Sequence, residues 1–156
     1  MVHIICFGNL WHGDDGFGVH VFRRLNQIGV PEHVKIFDAG TAGFSALGYF
    51  ENCRKVIIVD AMESGLPAGT VRQFSWEAAA QPQAAFSVHA VGVDHLLTLL
   101  PVVNTEMPEV VIIGAQIGHL VPFTDRLSTE LEKAVEVTIN LIQKETLNSI
   151  CSSVSV

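Results

Sequence analysis

The sequence is short of positive charge. Lys and Arg together number 9 against 16 Asp and Glu, so the formal net charge is −7 at pH 7. Nucleic acids and anionic membranes attract proteins through positive surfaces, and we therefore expect neither as a partner. No apolar run approaches the ~20 residues that a membrane-spanning helix needs. The N-terminus also has no basic stretch followed by a long apolar one, so no export signal is expected.

Cysteine is scarce as well. Cys6, Cys53 and Cys151 are widely spaced and form no C-x-x-C pattern, which predicts a reduced, cytoplasmic protein. Apolar residues make up 49% of the 156 residues, enough for one buried core. We therefore predict a single domain over residues 1–156, with a frayed tail at about 149–156.

Apolar runs of strand length alternate with segments of helical spacing. The predicted strands are Val2–Phe7, Val34–Phe37, Lys55–Val59, Thr70–Trp76 (antiparallel) and Glu109–Ile113. The predicted helices are Phe17–Ile28, a short one ending at Phe50, Val88–Leu100 (stopping at Pro101) and one from about Ser128 to Leu147. This alternation predicts a three-layer α/β/α sandwich around a mostly parallel, mixed sheet.

Acidic residues follow three of the predicted strands. Asp14 and Asp15 come just after the first, Asp38 ends the second and Asp60 ends the third. Ligands of open α/β sheets bind beyond the carboxyl ends of the strands. Like charges gathered there repel unless a cation or a donor offsets them, so this edge is a candidate site for a divalent metal ion.

Spacing does not decide which histidine completes such a site. His89 opens the predicted helix after the fourth strand, where an element terminus can direct a side chain into the crevice. His12 lies in the first loop beside the Asp pair and is the best rival, and His95 lies further along the helix.

Other chemistries are disfavoured by missing motifs. Gly16 and Gly18 are followed by Val21, so the G-x-G-x-x-G dinucleotide motif is absent, and no G-K-[ST] phosphate loop occurs. The chain also lacks a G-x-S-x-G nucleophile elbow and an H-E-x-x-H zinc motif.

Several motifs together resemble the hydrogenase maturation endopeptidases over residues 3–145. The segment from Gly8 to Gly18 resembles their G-N-x-x-x-x-D-[DE]-x-x-G opening, and Asp38-Ala39-Gly40-Thr41-Ala42 resembles their D-G-G-[TS]-[AP] stretch. The further matches are the strand ending at Asp60 with the Pro67–Thr70 turn, Ser87-Val88-His89 as [ST]-x-H, and Ile113-Gly114-Ala115-Gln116 as V-G-[IV]-[QE].

The resemblance implies a five-stranded mixed sheet and a metal site formed by Asp15, Asp60 and His89. Asp38, at the same edge, is a further catalytic candidate as a base or as a group that binds the peptide. It implies an endopeptidase that removes the C-terminal extension of a nickel-iron hydrogenase large-subunit precursor after nickel insertion. The nickel is expected to come with the substrate, and zinc or cadmium could occupy the same ligands. A monomeric enzyme is expected.

Two other functions remain open on the sequence. The same ligands would serve a non-catalytic metal-checkpoint or chaperone module, which would bind the precursor without cutting it. A flavodoxin-like domain would instead bind a small anionic ligand, although the acidic first loop disfavours this. A related peptidase of the same fold, such as a spore-protease-like member, is a further variant.

Overall fold

The computed structural model describes residues 1–79, 87–88, 93–103 and 106–151. The strands are β1 (Val2–Phe7), β2 (Val34–Gly40), β3 (Lys55–Glu63), β4 (Val71–Ser75), β5 (Ser87–Val88) and β6 (Glu109–Gln116). The α-helices are α1 (Phe17–Ile28), α2 (Trp76–Ala79), α3 (Val93–Val103) and α4 (Thr129–Cys151). Two 3₁₀ segments, Gly13–Gly16 and Gly43–Phe50, follow β1 and β2.

The sheet has the strand order β2-β1-β3-β6-β4. The pairs β1–β2, β1–β3 and β3–β6 are parallel, and β4 is antiparallel to β6. The predicted mixed five-stranded sheet is therefore confirmed. The sequence did not predict β5, a short antiparallel addition in which Val88 pairs with Met62 at the far end of β3.

Alternate residues of each central strand pack on opposite faces of the sheet, as the pleat requires. Ile4 and Cys6 belong to one core with α1 and α4. Ile5 and Phe7 belong to a second core with the 3₁₀ helix Gly43–Phe50 and α3. The two cores confirm the predicted three-layer arrangement.

Several element ends differ from the prediction. Strands β2, β3 and β6 run two or more residues past their predicted ends at Phe37, Val59 and Ile113. Charged residues and glycines at these positions indicate strand ends, but the parallel pairing continues past them. Ala61 of β3, for example, pairs with Ala115 of β6. The described part of the chain contains no helix that is both long and apolar enough to cross a bilayer.

The last two helices also differ from their predicted limits. Helix α3 begins at Val93 and contains Pro101, since burial of Leu96 and Leu100 offsets the hydrogen bond that proline cannot make. Helix α4 continues to Cys151, so the start of the predicted frayed tail is helical; residues 152–156 lie outside the described part.

Glycines allow the start of α1 to lie directly on the backbones of two strands. A Cβ atom on Gly18 would lie 2.0 Å from the Phe7 carbonyl oxygen of β1 and 2.9 Å from the Val59 carbonyl oxygen of β3. Gly8, with φ of 147°, would bring a Cβ to 2.4 Å from the Asp15 carbonyl oxygen. Only glycine permits such close backbone contacts, which hold the Gly13–Gly16 turn over this edge of the sheet.

Asp14 joins this turn to the segment between β6 and α4. Its Oδ2 accepts hydrogen bonds from the backbone N–H groups of Gly118 and His119, both at 2.8 Å, and from the Ser128 hydroxyl at 3.0 Å. Its Oδ1 accepts the Ser128 N–H at 2.7 Å. Burial alone would raise the pKa of this carboxyl, but the hydrogen bonds from Ser128, His119 and Gly118 outweigh it and lower the pKa.

We expect Gly18→Ala to destabilise the protein by at least about 3 kcal/mol, because the added methyl meets backbone atoms that cannot rotate away. Urea unfolding measures the loss. Gly48→Ala is the matched control, since nothing lies within 4 Å of a Cβ at that position, and it should change the stability by less than about 0.5 kcal/mol. Equal stabilities for the two variants would contradict the close contact at Gly18.

We expect Asp14→Asn to lower the free energy of unfolding by about 2–4 kcal/mol at pH 7, because an amide presents only one acceptor atom to these donors. The lowered pKa means that the Asp14 contribution is fully present above the unfolded-state value of about 3.9 and is lost as the pH falls through the folded-state pKa. The difference between wild type and variant should therefore shrink in that acidic range. Asp125→Asn, which removes the same charge from an exposed side chain, should show neither effect.

Candidate active site

The predicted acidic residues lie on or just after three neighbouring parallel strands, toward their carboxyl ends. Asp15 lies in the turn after β1, Asp38 near the end of β2 and Asp60 in β3, and these three strands are neighbours in the sheet. With this order, right-handed crossovers place α1 and the 3₁₀ helix Gly43–Phe50 on opposite faces of the sheet, in agreement with the two cores.

Asp60 is the most enclosed of the three. Its side chain is fully buried, and its Oδ1 accepts the Ala61 N–H at 2.8 Å. The prediction that Asp60 ends its strand is wrong, because β3 continues to Glu63 and Asp60 pairs with Gly114 of β6. A carboxylate buried within a central strand is costly unless donors or a cation offset its charge, and for this reason such a group is a functional candidate.

Asp15 is largely buried in the Gly13–Gly16 turn. Its backbone carbonyl accepts the Asn9 N–H at 3.0 Å, which fixes the loop after β1. The His12 Nδ1 atom lies 3.8 Å from Asp15 Oδ2. The structure therefore places His12, the alternative to His89, beside the predicted ligand Asp15.

Asp38 is exposed, in contrast to the other two acids. Its Oδ1 accepts the Gly40 N–H at 3.0 Å, and its backbone pairs with Cys6 of β1. The predicted strand end at Asp38 is wrong by two residues, since β2 continues to Gly40. Asp38 is the one of the three acids whose carboxylate faces solvent.

The pKa of the Cys6 thiol responds to the negative charges at this edge of the sheet. Burial raises the pKa of Cys6 strongly, and the negative charges of Asp38 and Asp60 raise it further. Cys6 is therefore an inert neutral core thiol. It lies on β1, between the strands that carry the two carboxylates.

His89 lies outside the described residues, and so its place in the site stays a prediction. The helix that it was expected to open begins at Val93, and α3 contains the backbone of His95. Among the residues that the structure describes, no three His, Cys, Asp or Glu side chains form a metal-binding group.

Two polar residues, Asp14 and Gln116, hold the surrounding loops in place, a role that the sequence alone does not indicate. Asp14 holds the loop after β6, as described above. The Gln116 side chain binds the segment after β3: its Oε1 accepts from the N–H and hydroxyl of Ser64, and its Nε2 donates to Glu63 Oε1 at 3.0 Å. The position of Gln116 at the end of a strand indicates a residue near the site, but its partners cannot be predicted because they are distant in the sequence.

Comparison with known proteins identifies the family. A family model described as HycI, hydrogenase maturation protease, matches residues 19–145. A putative hydrogenase maturation protease of Methanocaldococcus jannaschii is 34% identical over 148 residues, covering 91% of this chain and 94% of the relative. The hydrogenase expression/formation protein HoxM of Cupriavidus necator is 31% identical, covering 87% of this chain and 69% of the relative.

Solved structures agree with the sequence relatives. The hydrogenase maturating endopeptidase HybD of E. coli superposes with a TM-score of 0.81 at 26% identity, covering 95% of this chain and 93% of that one. The [NiFe] hydrogenase maturation protease HybD of Thermococcus kodakarensis gives 0.79 at 25% identity, with 92% and 97% covered. These matches set aside the flavodoxin-like alternative, and the chain belongs to the hydrogenase maturation proteases.

Proposed function

We propose that this protease removes the C-terminal extension of a nickel-iron hydrogenase large-subunit precursor once nickel has been inserted. The observation that supports the proposal is the family match over residues 19–145, in a chain that has Asp15 in the turn after β1 and Asp60 on the neighbouring strand β3. Asp15, Asp60 and His89 are the proposed ligands that recognise the metal.

The position of β5 supports His89 as the third ligand. His89 follows Val88 directly in the chain, and the backbone of Val88 pairs with Met62. Met62 lies two positions beyond Asp60 on the same strand. The closeness of His89 in the chain to a residue that pairs beside Asp60 is what supports this choice of ligand.

Two carboxylates and an imidazole suit a divalent first-row ion and leave coordination positions for other ligands. In the proposed mechanism the nickel belongs to the substrate, and the three side chains complete its coordination. An incomplete ligand set binds free metal weakly, so that only a loaded precursor is held firmly. Zinc or cadmium could occupy the same ligands in the absence of substrate.

The substrate metal in this arrangement polarises the scissile carbonyl or activates a water molecule. The exposed Asp38 carboxylate is the proposed base, or the group that binds the peptide beside the cut, because it is accessible at the same edge. A monomeric enzyme acting in the cytoplasm also remains part of the proposal.

A processing assay tests the proposal. Purified protein should shorten a nickel-loaded precursor at its C-terminus, detected as a loss of mass, and should leave the nickel-free precursor intact. A stable complex without cleavage would instead indicate a checkpoint or chaperone module, and cleavage of both precursors would reject metal recognition.

Histidine variants distinguish the third ligand. His89→Ala should reduce processing at least about 100-fold, as expected for loss of a ligand that positions the reacting group. His12→Ala is the matched control, because its ring also lies near Asp15, and it should keep most of the activity. Asp60→Asn should lose processing together with measurable cadmium binding in a calorimetric titration. The reverse pattern, an active His89→Ala and an inactive His12→Ala, would assign the imidazole ligand to His12.

A further inference from the structure

Large apolar side chains are exposed on the two loops beside Asp15. Trp11 follows β1 and is 62% exposed; Phe123 lies between β6 and α4 and is 94% exposed. Leu120 and Val121 on the second loop are also exposed. We call Trp11, Leu120, Val121 and Phe123 the apolar rim. Exposed apolar side chains gathered in one place usually mark a binding surface.

Backbone contacts hold the two loops of the apolar rim together. His12 and Thr124 form a parallel β-bridge, and the Gly13 N–H donates to the Thr124 carbonyl at 3.0 Å. The Asp14 N–H donates to the His119 carbonyl at 3.2 Å. Trp11 and Phe123 each precede one of the bridged residues, so both belong to one fixed surface.

The backbone at Phe123 gives a second indication of binding. Its φ is +60°, a left-handed conformation that costs a phenylalanine about 1–2 kcal/mol and costs a glycine little. A side chain that is almost fully exposed gains no packing to offset this cost. Folding alone therefore favours glycine at this position, and a contact between the aromatic ring and a binding partner would offset the cost.

The apolar rim adjoins the proposed site. The Asp15 N–H donates to the His12 carbonyl at 3.4 Å, directly beside the bridge that joins the two loops. A polypeptide whose reacting bond lies at the carboxyl edge would pass over one of these loops.

Charge distinguishes the possible occupants. Residues 8–13 and 117–124 contain no Asp, Glu, Lys or Arg, whereas the whole chain carries a net charge of −7. A second copy of the chain would bring the same negative charge and would be repelled, and an anionic lipid surface is repelled for the same reason. An uncharged apolar stretch of a polypeptide substrate meets no such repulsion.

We propose that the apolar rim binds an uncharged, apolar segment of the precursor polypeptide next to the cleavage site. This proposal rests on the proposed function, because the segment belongs to the same substrate. The rim contributes to substrate binding and not to the bond-breaking step. Its loss should therefore raise KM and leave kcat nearly unchanged.

Phe123→Gly provides the most direct test. The variant should be at least as stable as wild type in urea unfolding, since glycine relieves the left-handed strain. Its KM for the nickel-loaded precursor should rise at least about tenfold, as expected for loss of a buried aromatic contact. A loss of binding in a protein that is not destabilised excludes a folding defect.

Trp11→Ala supplies the second variant, with Leu147→Ala as its matched control. The two side chains are equally exposed, at 62% and 63%, but Leu147 lies near the far end of α4. Trp11→Ala should raise KM, and Leu147→Ala should not. Wild-type KM values in both Phe123→Gly and Trp11→Ala, with processing by wild type intact, would overturn the rim proposal alone.

Two further outcomes have distinct meanings. If wild type neither binds nor cleaves the loaded precursor, the proposed function fails and the rim proposal fails with it. If sedimentation shows a wild-type dimer that Phe123→Gly dissociates, the occupant is a second copy of the chain and the substrate assignment is overturned.

Discussion

The close contact between the start of α1 and the backbones of β1 and β3 determines the position of the turn that carries Asp15. At Gly18 no side chain fits between the helix and the carbonyl oxygens of Phe7 and Val59. The Gly13–Gly16 turn is consequently pressed against the carboxyl edge, and Asp15 is buried beside the strand that carries Asp60. A larger residue at Gly18 would move the turn, and Asp15 with it, away from the sheet.

Three carboxylates near this edge have different surroundings, although the residue type is the same. The oxygens of Asp14 accept hydrogen bonds from three backbone N–H groups and one hydroxyl, so this residue has a structural role. Asp38 is exposed. Asp60 is fully buried in a central strand, where a charge is most costly and where a bound cation would be most stabilising. The four donors around Asp14 therefore identify it as a supporting acid, which its position in the sequence does not.

The sequence predicted the layers of the fold better than the limits of its elements. Apolar runs located β1, β3 and β6 because buried strands need apolar side chains on both faces. The predicted strand ends are too early because Asp38 and Asp60 are residues typical of strand ends. Pairing with the neighbouring strands continues past both of them. The adjacent residues Asp14 and Asp15 could not be distinguished either, since the partners of Asp14 lie more than a hundred positions later. Among the histidines, only the family resemblance selected His89.

The proposed metal ligands and the apolar rim would act on one substrate through different physical interactions. Metal coordination depends on the charge and loading of the precursor, whereas the rim depends on apolar area and is indifferent to the metal. When both contacts belong to one polypeptide, the second forms within an existing complex, and each 1.4 kcal/mol that it adds increases affinity about tenfold. A nickel-free precursor keeps the rim contact but lacks the coordination, and free nickel has only the coordination. Neither contact alone then needs to be strong. A site that held its own metal ion tightly would remove the discrimination between nickel-loaded and nickel-free precursor. The partly complete ligand set and the strained, exposed Phe123 are therefore consistent with one requirement, which is that firm binding occurs only when metal and polypeptide arrive together.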